Sequence, residues 1–235
     1  SGEDFLGRVG ADLFDDDETP RRLPTLRGWT PGFHDVVDRG VDRFTCDIGG
    51  HKVSCKLGYR ESGTGSSVWD GAVVLARFLE THPSLVAGKA VLELGAGTGF
   101  GGLCAAALGA ASVTLTDIEA CLPLLRENAA GVDGVVVEAL DWTEPVPSRV
   151  SCDVVLAADC LLPGREGLFA PLATTLAALL AGDAVAYFVY EQRCMDCGPF
   201  FELLGAGVAV SCIPDDDLHP EYRAPEIRVL ELRRA

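Results

Sequence analysis

A glycine-rich segment carries the strongest chemical signal in this sequence of 235 residues. It reads Glu93-Leu94-Gly95-Ala96-Gly97-Thr98-Gly99. Alternating glycines permit backbone angles with positive φ and let a ligand approach the main chain without a Cβ in the way. The segment predicts a turn in which Gly95, Ala96, Gly97 and Gly99 contact a bound cofactor. The glycines alone do not identify that cofactor, because nicotinamide and flavin enzymes use related turns.

Side chains at the ends of the next two predicted strands narrow the choice of cofactor. Asp117 can accept both hydrogen bonds of a ribose diol, and Ile118 beside it can pack on a purine. Trp142 can cover the face of an adenine, and Asp141 can accept a hydrogen bond from its exocyclic amine. Glu93, directly before the glycines, is typical of methyltransferases, where it orders the turn or faces the methionine end of the cofactor. Together these residues predict a site for S-adenosylmethionine.

Two carboxylates are candidates for the acceptor side of a methyl transfer. Asp159 ends the fourth predicted strand, where it would face the methyl group and the nucleophile; a structural cap at the strand end is the alternative. A lysine ammonium must lose a proton before it attacks, and a nearby carboxylate can orient it and pass the proton to water. Glu191, at the end of the fifth strand, is the second candidate, for which a salt bridge to Arg193 or Arg223 is the alternative. The Pro-Pro-aromatic sequence that follows this acid in nucleobase and glutamine methyltransferases is absent here, which counts against an aromatic or amide nitrogen acceptor.

The elements around these residues alternate regularly between strand and helix. Apolar and β-branched segments predict strands at 89–94, 112–116, 135–139, 153–157, 184–190, 207–213 and 226–232. Helices are predicted at 69–82, 100–108, 119–130, 165–181 and 197–205. Short connections between them imply a doubly wound, mostly parallel seven-stranded α/β sheet of the class I (Rossmann-like) methyltransferase type. Alternation on both sides of Gly49-Gly50 adds an N-terminal β-hairpin.

Length and charge fit one domain with a protein partner. Residues 1–40 are acidic and without sustained periodicity, which predicts a largely irregular segment, and 41–235 form the predicted methyltransferase domain. The formal net charge of −16 disfavours nucleic acid as a substrate and favours a basic, lysine-bearing protein. We expect a monomer.

The cysteines and the apolar segments bear on compartment. Nine cysteines are scattered along the chain, which is typical of buried thiols in a reducing environment and predicts a cytoplasmic protein, also present in the nucleus. The close pair Cys194 and Cys197 lacks a second pair at zinc spacing, so no metal is expected. No apolar run approaches the roughly 18 to 20 residues that a bilayer span needs, so no membrane is expected.

Three motifs together resemble the family 16 (methyltransferase-21-like) protein lysine methyltransferases. They are Val68-Trp69-Asp70-Gly71-Ala72, Leu92-Glu93-Leu94-Gly95-Ala96-Gly97-Thr98-Gly99 and Ala157-Ala158-Asp159-Cys160. The resemblance covers about 41–232. It implies transfer of methyl from S-adenosylmethionine to a protein lysine, with S-adenosylhomocysteine as product, and it adds Trp69 and Ala158 to the cofactor contacts.

Two further segments resemble the branch of that family that methylates the valosin-containing protein, a hexameric AAA ATPase. They are Tyr190-Glu191-Gln192-Arg193 with Phe201-Glu202-Leu203-Leu204, and the stretch from Ile213-Pro214 to Glu226-Ile227. The family's Asp-x-x-Tyr motif has Leu162 in place of its tyrosine, which keeps apolar bulk and loses the hydroxyl and the π-face. Tyr190 or Tyr222 could supply an aromatic wall from another loop.

Three alternatives remain open. The acceptor could be another protein, such as a different chaperone or an elongation factor. The chain could be a cofactor-binding interaction module without catalysis, which Leu162 and the acidic N-terminal segment would suit. A nicotinamide-dependent oxidoreductase is disfavoured, because the loop is G-x-G-x-G rather than G-x-G-x-x-G and because Trp69 precedes it.

Overall fold

The hairpin opens the part of the chain that the computed structural model describes, namely residues 42–58, 63–193 and 196–235. Strands β1 (Arg43–Ile48) and β2 (His51–Lys56) pair antiparallel, with Ile48 opposite His51. Gly49 and Gly50 form the two-residue turn, and both have the positive φ that such turns require. The predicted hairpin is confirmed. The predicted irregular segment 1–40 and Cys194 lie outside the described residues.

Seven strands form one sheet. They are β3 (Ala90–Leu94), β4 (Ser112–Asp117), β5 (Val135–Ala139), β6 (Val154–Ala158), β7 (Val185–Glu191), β8 (Val208–Cys212) and β9 (Ile227–Arg234). Their order is β5-β4-β3-β6-β7-β9-β8, and among these described strands β9 runs in the direction opposite to the other six. The predicted fold class is confirmed. The chain reverses its direction of winding between β3 and β6, which is where α/β sheets bind ligands, outside the carboxyl ends of the strands.

Helices cover both faces of this sheet. They are α1 (Asp70–Thr81), α2 (Phe100–Ala107), α3 (Leu122–Ala129), α4 (Phe169–Leu179) and α5 (Gly198–Leu204). The hairpin and α1 to α3 pack on one face, and α4 and α5 pack on the other. Helices α3 and α4 begin later than the sequence predicted, because a 3-10 turn precedes each of them. No helix of the described ranges is long and apolar enough to cross a bilayer.

Candidate active site

A pocket of about 260 Å³ lies at the carboxyl edge of the sheet, over the switch between β3 and β6. Eleven of the thirteen predicted site residues line it: Trp69, Glu93, Gly95, Ala96, Gly97, Asp117, Ile118, Asp141, Trp142, Ala158 and Asp159. Gly99 and Glu191 do not line it. Gly99 directly precedes α2 with φ of 82°, and a Cβ there would lie 2.7 Å from the Leu125 side chain, so packing requires glycine here, and its contact with a cofactor stays a prediction.

The glycine loop is enclosed on two sides. Gly97 has φ of 52°, and a Cβ on it would lie 2.9 Å from the carbonyl oxygen of Gly65, which belongs to the segment before α1. Gly95 has φ of 59°, and a Cβ on it would lie 3.0 Å from the indole ring of Trp142. Both positions therefore need glycine for conformation and for space. No motif in the sequence indicated that Gly65 forms a wall of the pocket.

Asp117 fixes the loop and also faces the ligand space. Its Oδ2 atom accepts a hydrogen bond from the Gly97 N–H, and its Oδ1 atom accepts one from the Ile118 N–H, each at 2.8 Å. A carboxylate oxygen has a second lone pair, so both atoms retain capacity for a diol. The Ile118 side chain lines the pocket and is 47% exposed, which leaves an apolar surface ready for a flat ring.

Asp141 and Trp142 form the opposite wall. The Oδ1 atom of Asp141 accepts hydrogen bonds from the backbone N–H and the hydroxyl of Thr143, at 2.9 and 2.7 Å. These hydrogen bonds lower the pKa of Asp141 below its usual value. The indole of Trp142 packs against Gly95. The turn at Asp141 thus holds the tryptophan over the ligand space.

Glu93 anchors the start of α2. Its Oε2 atom accepts a hydrogen bond from the Gly102 N–H at 2.9 Å. Glycine is required there, because a Cβ on Gly101 would overlap Oε1 of Glu93 and a Cβ on Gly102 would overlap the Leu115 side chain. Burial raises the pKa of Glu93 to about 8, against the lowering effect of these backbone N–H groups. Glu93 therefore orders the turn, which is one of the two roles the sequence left open, and it also lines the pocket.

The raised pKa of Glu93 predicts a pH-dependent stability. The unfolded glutamate titrates near 4.5 and the folded one near 8, so the native state holds the extra proton between these values. The free energy of unfolding should therefore fall as the pH rises from about 5 through 8, by an amount on the order of a few kcal/mol. Urea unfolding at a series of pH values measures it. Glu93→Gln should flatten the slope, whereas Glu144→Gln at an exposed site should keep it; equal slopes in all three proteins would contradict the prediction.

Asp159 is held by three donors. It has φ of 52°, the one positive φ among the described non-glycine residues, and its side chain is 1% exposed. Its Oδ2 atom accepts a hydrogen bond from the Gly71 N–H at 2.8 Å. Its Oδ1 atom accepts hydrogen bonds from the Glu191 N–H and from Nη1 of Arg193, each at 3.2 Å. Gly71 lies in the first turn of α1, so Asp159 caps that helix from across the sheet.

This contact explains the glycine of the Trp-Asp-Gly motif. A Cβ on Gly71 would overlap Oδ2 of Asp159. Asp159 thus caps α1, whereas the alternative that the sequence analysis gave for it was a cap at its own strand end. Its role toward an acceptor stays a prediction, and the side chain also lines the pocket.

Arg193 connects the acceptor side to the cofactor side. Its Nη2 atom lies 2.5 Å from Oε2 of Glu191, and its guanidinium lies over the Trp69 ring, 5.0 Å from the ring centroid. Trp69 in turn donates a hydrogen bond from Nε1 to the Thr64 carbonyl at 2.8 Å. Burial raises the pKa of Glu191, and the Arg193 charge opposes this. The salt bridge between Arg193 and Glu191, which was the alternative role for Glu191, is present.

The position of the family tyrosine is apolar. Leu162 lines the pocket together with Arg165 and Leu168. The prediction that Tyr190 replaces the missing aromatic wall is wrong, because its side chain is fully buried on the α4–α5 face of the sheet. Tyr222 lies under the Arg77 guanidinium, 4.4 Å from it, and does not line the pocket.

Comparison with known proteins agrees with this geometry. The sequence model of the family described as lysine methyltransferase matches residues 52–206. The chain belongs to this family. It is therefore a methyltransferase, and the family predicted from the motifs is confirmed, whereas the valosin-specific branch stays a prediction.

Relatives of this lysine methyltransferase include proteins named for protein substrates. Protein N-lysine methyltransferase METTL21A of Mus musculus is 31% identical over 186 residues, which cover 74% of this chain and 84% of that protein. Protein-lysine N-methyltransferase EFM6 of Saccharomyces cerevisiae is 30% identical and covers 74% of this chain and 82% of that protein. EEF1A lysine methyltransferase 3 of Mus musculus is 33% identical, and the match covers 61% of this chain and 63% of that protein.

Solved structures share the fold of this lysine methyltransferase. The 16S rRNA N2 G1207 methyltransferase of T. thermophilus, in complex with AdoMet and guanosine, superposes with a TM-score of 0.59 at 20% identity, covering 82% of this chain and 50% of that one. The DhpI–SAH complex gives a TM-score of 0.50 at 19% identity, covering 71% and 85%. At these identities the likeness describes the architecture alone.

Proposed function

We propose that this lysine methyltransferase transfers methyl from S-adenosylmethionine to a lysine of an AAA ATPase of the valosin-containing type. One observation carries the choice of acceptor. The first segment that resembles the valosin-directed branch contacts Asp159 through the Glu191 N–H and Arg193, and the second ends at Ile227, which pairs with Glu191. These contacts beside the acceptor-side carboxylate support an acceptor of that branch.

The pocket suits the methyl donor in three separate features. Asp117 presents a carboxylate to a diol, Ile118 presents an exposed apolar side chain to a purine, and Gly97 lets the glycine loop pack closely against the Gly65 backbone at the pocket wall. The methyl donor is S-adenosylmethionine, which when bound supplies a sulfonium methyl group to a nucleophile. Trp142 and Ile118 supply apolar lining at the end of the pocket where a ring would bind.

The acceptor side carries an excess of negative charge. Asp159 and Glu191 share the single positive charge of Arg193, so the cluster attracts a lysine ammonium. The amine must lose its proton before it attacks. Glu191 is 23% exposed at its side chain and has a raised pKa, which suits a group that takes a proton from the amine and returns it to water. Asp159 orients this cluster from a fixed position.

The protein surface and the thiols bear on partner and compartment. The net charge of −16 favours a basic target segment, and Asp215, Asp216 and Asp217 lie in the loop that follows β8 at the same edge as the pocket. Cys55, Cys104 and Cys160 are buried thiols, which supports a reducing compartment such as the cytoplasm or nucleus.

Labelled methyl transfer tests the proposal. The purified chain, S-adenosylmethionine with a labelled methyl group and recombinant valosin-containing protein should give a methylated lysine in that ATPase, identified by mass spectrometry. Excess S-adenosylhomocysteine should suppress the label and should also raise the melting temperature of the enzyme. If other proteins of a cell extract became labelled and the ATPase did not, the proposed acceptor would be wrong. A thermal shift without any transfer would favour an interaction module.

A second acceptor class has one observation in its favour. EEF1A lysine methyltransferase 3, at 33% identity, is named for an elongation factor. Elongation factor 1A therefore belongs in the same assay as a competing substrate, and preferential labelling of it would decide for that class.

A further inference from the structure

We infer that Arg193 is the positioning residue of the acceptor side. Its guanidinium holds the side chains of Asp159, Glu191 and Trp69 in fixed positions relative to one another. The inference rests on the proposed methyl transfer to lysine and extends it to a residue outside the pocket wall. Arg193 is not one of the residues that line the pocket. Its effect on the reaction runs through the three side chains that it contacts.

The contacts use different parts of the guanidinium. Nη1 donates to Oδ1 of Asp159 at 3.2 Å, and Nη2 lies 2.5 Å from Oε2 of Glu191. The face of the same group lies over the Trp69 ring. A planar fork with a flat face can make all three contacts at once, whereas an ammonium is a point charge that cannot. The geometry therefore requires arginine rather than any cation.

The surroundings make these contacts strong enough to matter. The Arg193 side chain is 17% exposed, Asp159 1% and Glu191 23%, so solvent screens the cluster only weakly. The carboxylates that bear on Glu191 are Asp159 and Glu226, and Arg193 is the cation that opposes them. Without Arg193, two carboxylates would face each other at the acceptor side with no charge between them.

Through its contact with Trp69, Arg193 also positions a side chain on the cofactor side of the pocket. Trp69 lines the pocket and donates a hydrogen bond to the Thr64 carbonyl, beside the Gly65 carbonyl that covers Gly97. Movement of the guanidinium would therefore shift both the acid that faces the acceptor and the indole that faces the cofactor. A displacement of about 1 Å at such a site can cost on the order of 100-fold in rate.

Arginine variants test the assignment by kinetics. Arg193→Met should lower kcat about 100-fold and weaken S-adenosylhomocysteine binding only about two- to fivefold, the equivalent of one cation–π contact. Arg193→Lys should recover part of kcat, because it keeps the charge and loses the fork. Arg149→Met, which removes an exposed arginine that pairs with Glu138 and does not line the pocket, should leave both unchanged. Equal activity of Arg193→Met and the wild type would overturn the inference, as would no gain from Arg193→Lys over Arg193→Met. A faster Arg193→Met enzyme would also overturn it, since the guanidinium would then occupy the place of the substrate ammonium.

A titration without substrate separates this inference from the proposed function. The ¹³C resonance of the Glu191 carboxyl should titrate at higher pH in Arg193→Met than in the wild type, because the opposing cation is gone. Melting temperatures confirm that the compared proteins are folded. An unchanged Glu191 midpoint in folded Arg193→Met would overturn the positioning role even if the wild type methylates. A shifted midpoint in an enzyme that methylates no protein lysine would instead count against the proposed function.

Discussion

Asp159→Asn should lower the turnover number of methyl transfer by about 100-fold, the loss expected when a fixed carboxylate no longer holds Glu191 and Arg193 in position for the acceptor. The variant keeps the shape of the side chain, and asparagine tolerates the left-handed conformation that Asp159 adopts. The loss therefore comes from hydrogen bonding and charge rather than from the backbone.

The amide cannot satisfy the donors that surround Asp159. If its oxygen accepts from the Gly71 N–H, its NH₂ group faces the donors of Glu191 and Arg193; if it is flipped, the NH₂ group faces Gly71. Either arrangement sets donors against donors and costs about 1–3 kcal/mol of folding stability. Cofactor affinity should change only a few-fold, since the principal cofactor-facing carboxylate is Asp117.

Steady-state kinetics and a calorimetric titration with S-adenosylhomocysteine measure the two effects. Asp153→Asn is the matched control, because Asp153 precedes the same strand at its other end and accepts a hydrogen bond from the Ala90 N–H. It should leave turnover unchanged. Equal losses of turnover and cofactor affinity in Asp159→Asn would mean that Asp159 serves the fold alone, and full turnover would remove it from the acceptor side.

Gly97→Val should weaken S-adenosylhomocysteine binding by at least about 30-fold. Left-handed backbone costs a residue with a Cβ about 1–2 kcal/mol, and overpacking against the Gly65 carbonyl adds about 1–3 kcal/mol. A sum of about 2 kcal/mol or more corresponds to this factor. The chain can avoid the cost only by moving the glycine loop or the segment around Gly65, and both are walls of the pocket.

Gly131→Val supplies the comparison. Gly131 also has positive φ, 78°, but a Cβ there would meet no atom within 4 Å, and the residue lies away from the pocket. Its variant should lose some stability from the backbone and bind the ligand as the wild type does. Equal ligand affinities of the Gly97→Val and wild-type proteins, measured by calorimetry, would show that the loop does not hold the cofactor.

The fold could be predicted because the sequence patterns that indicate its strands and helices are local. Strand and helix periodicity placed the elements from β3 to α5 within a few residues, and short connections implied the parallel order. The site could be predicted as far as it follows strand ends, as with Asp117 and Trp142. A strand that is buried on both faces gives no alternation to read. For that reason the sequence could not show that Tyr190 points to the α4–α5 side while Glu191 points to the α1 side.

Contacts between distant segments lay beyond the sequence. Asp159 and Gly71 are 88 residues apart, and nothing in either local pattern indicates that one caps the other. The same holds for Glu93 with Gly102, where the glycine reads only as an unusual choice inside a helix. Arg193 was visible as a partner of Glu191, but its third contact, with Trp69, depends on how α1 packs against β7.

The segment before β3 that lines one side of the pocket determines where this protein can be truncated. This segment includes Thr64, Gly65 and Trp69, which all line the pocket although they precede the first strand of the sheet. The Trp69 ring also packs against the Arg193 guanidinium. A fragment cloned from β3 onward would contain the whole recognisable nucleoside-binding unit and would still lack one side of its cavity and Gly71, one of the three donors to the Asp159 carboxylate. The smallest working unit therefore starts upstream of Thr64, and truncation boundaries drawn from the glycine motif alone would leave the pocket open on one side.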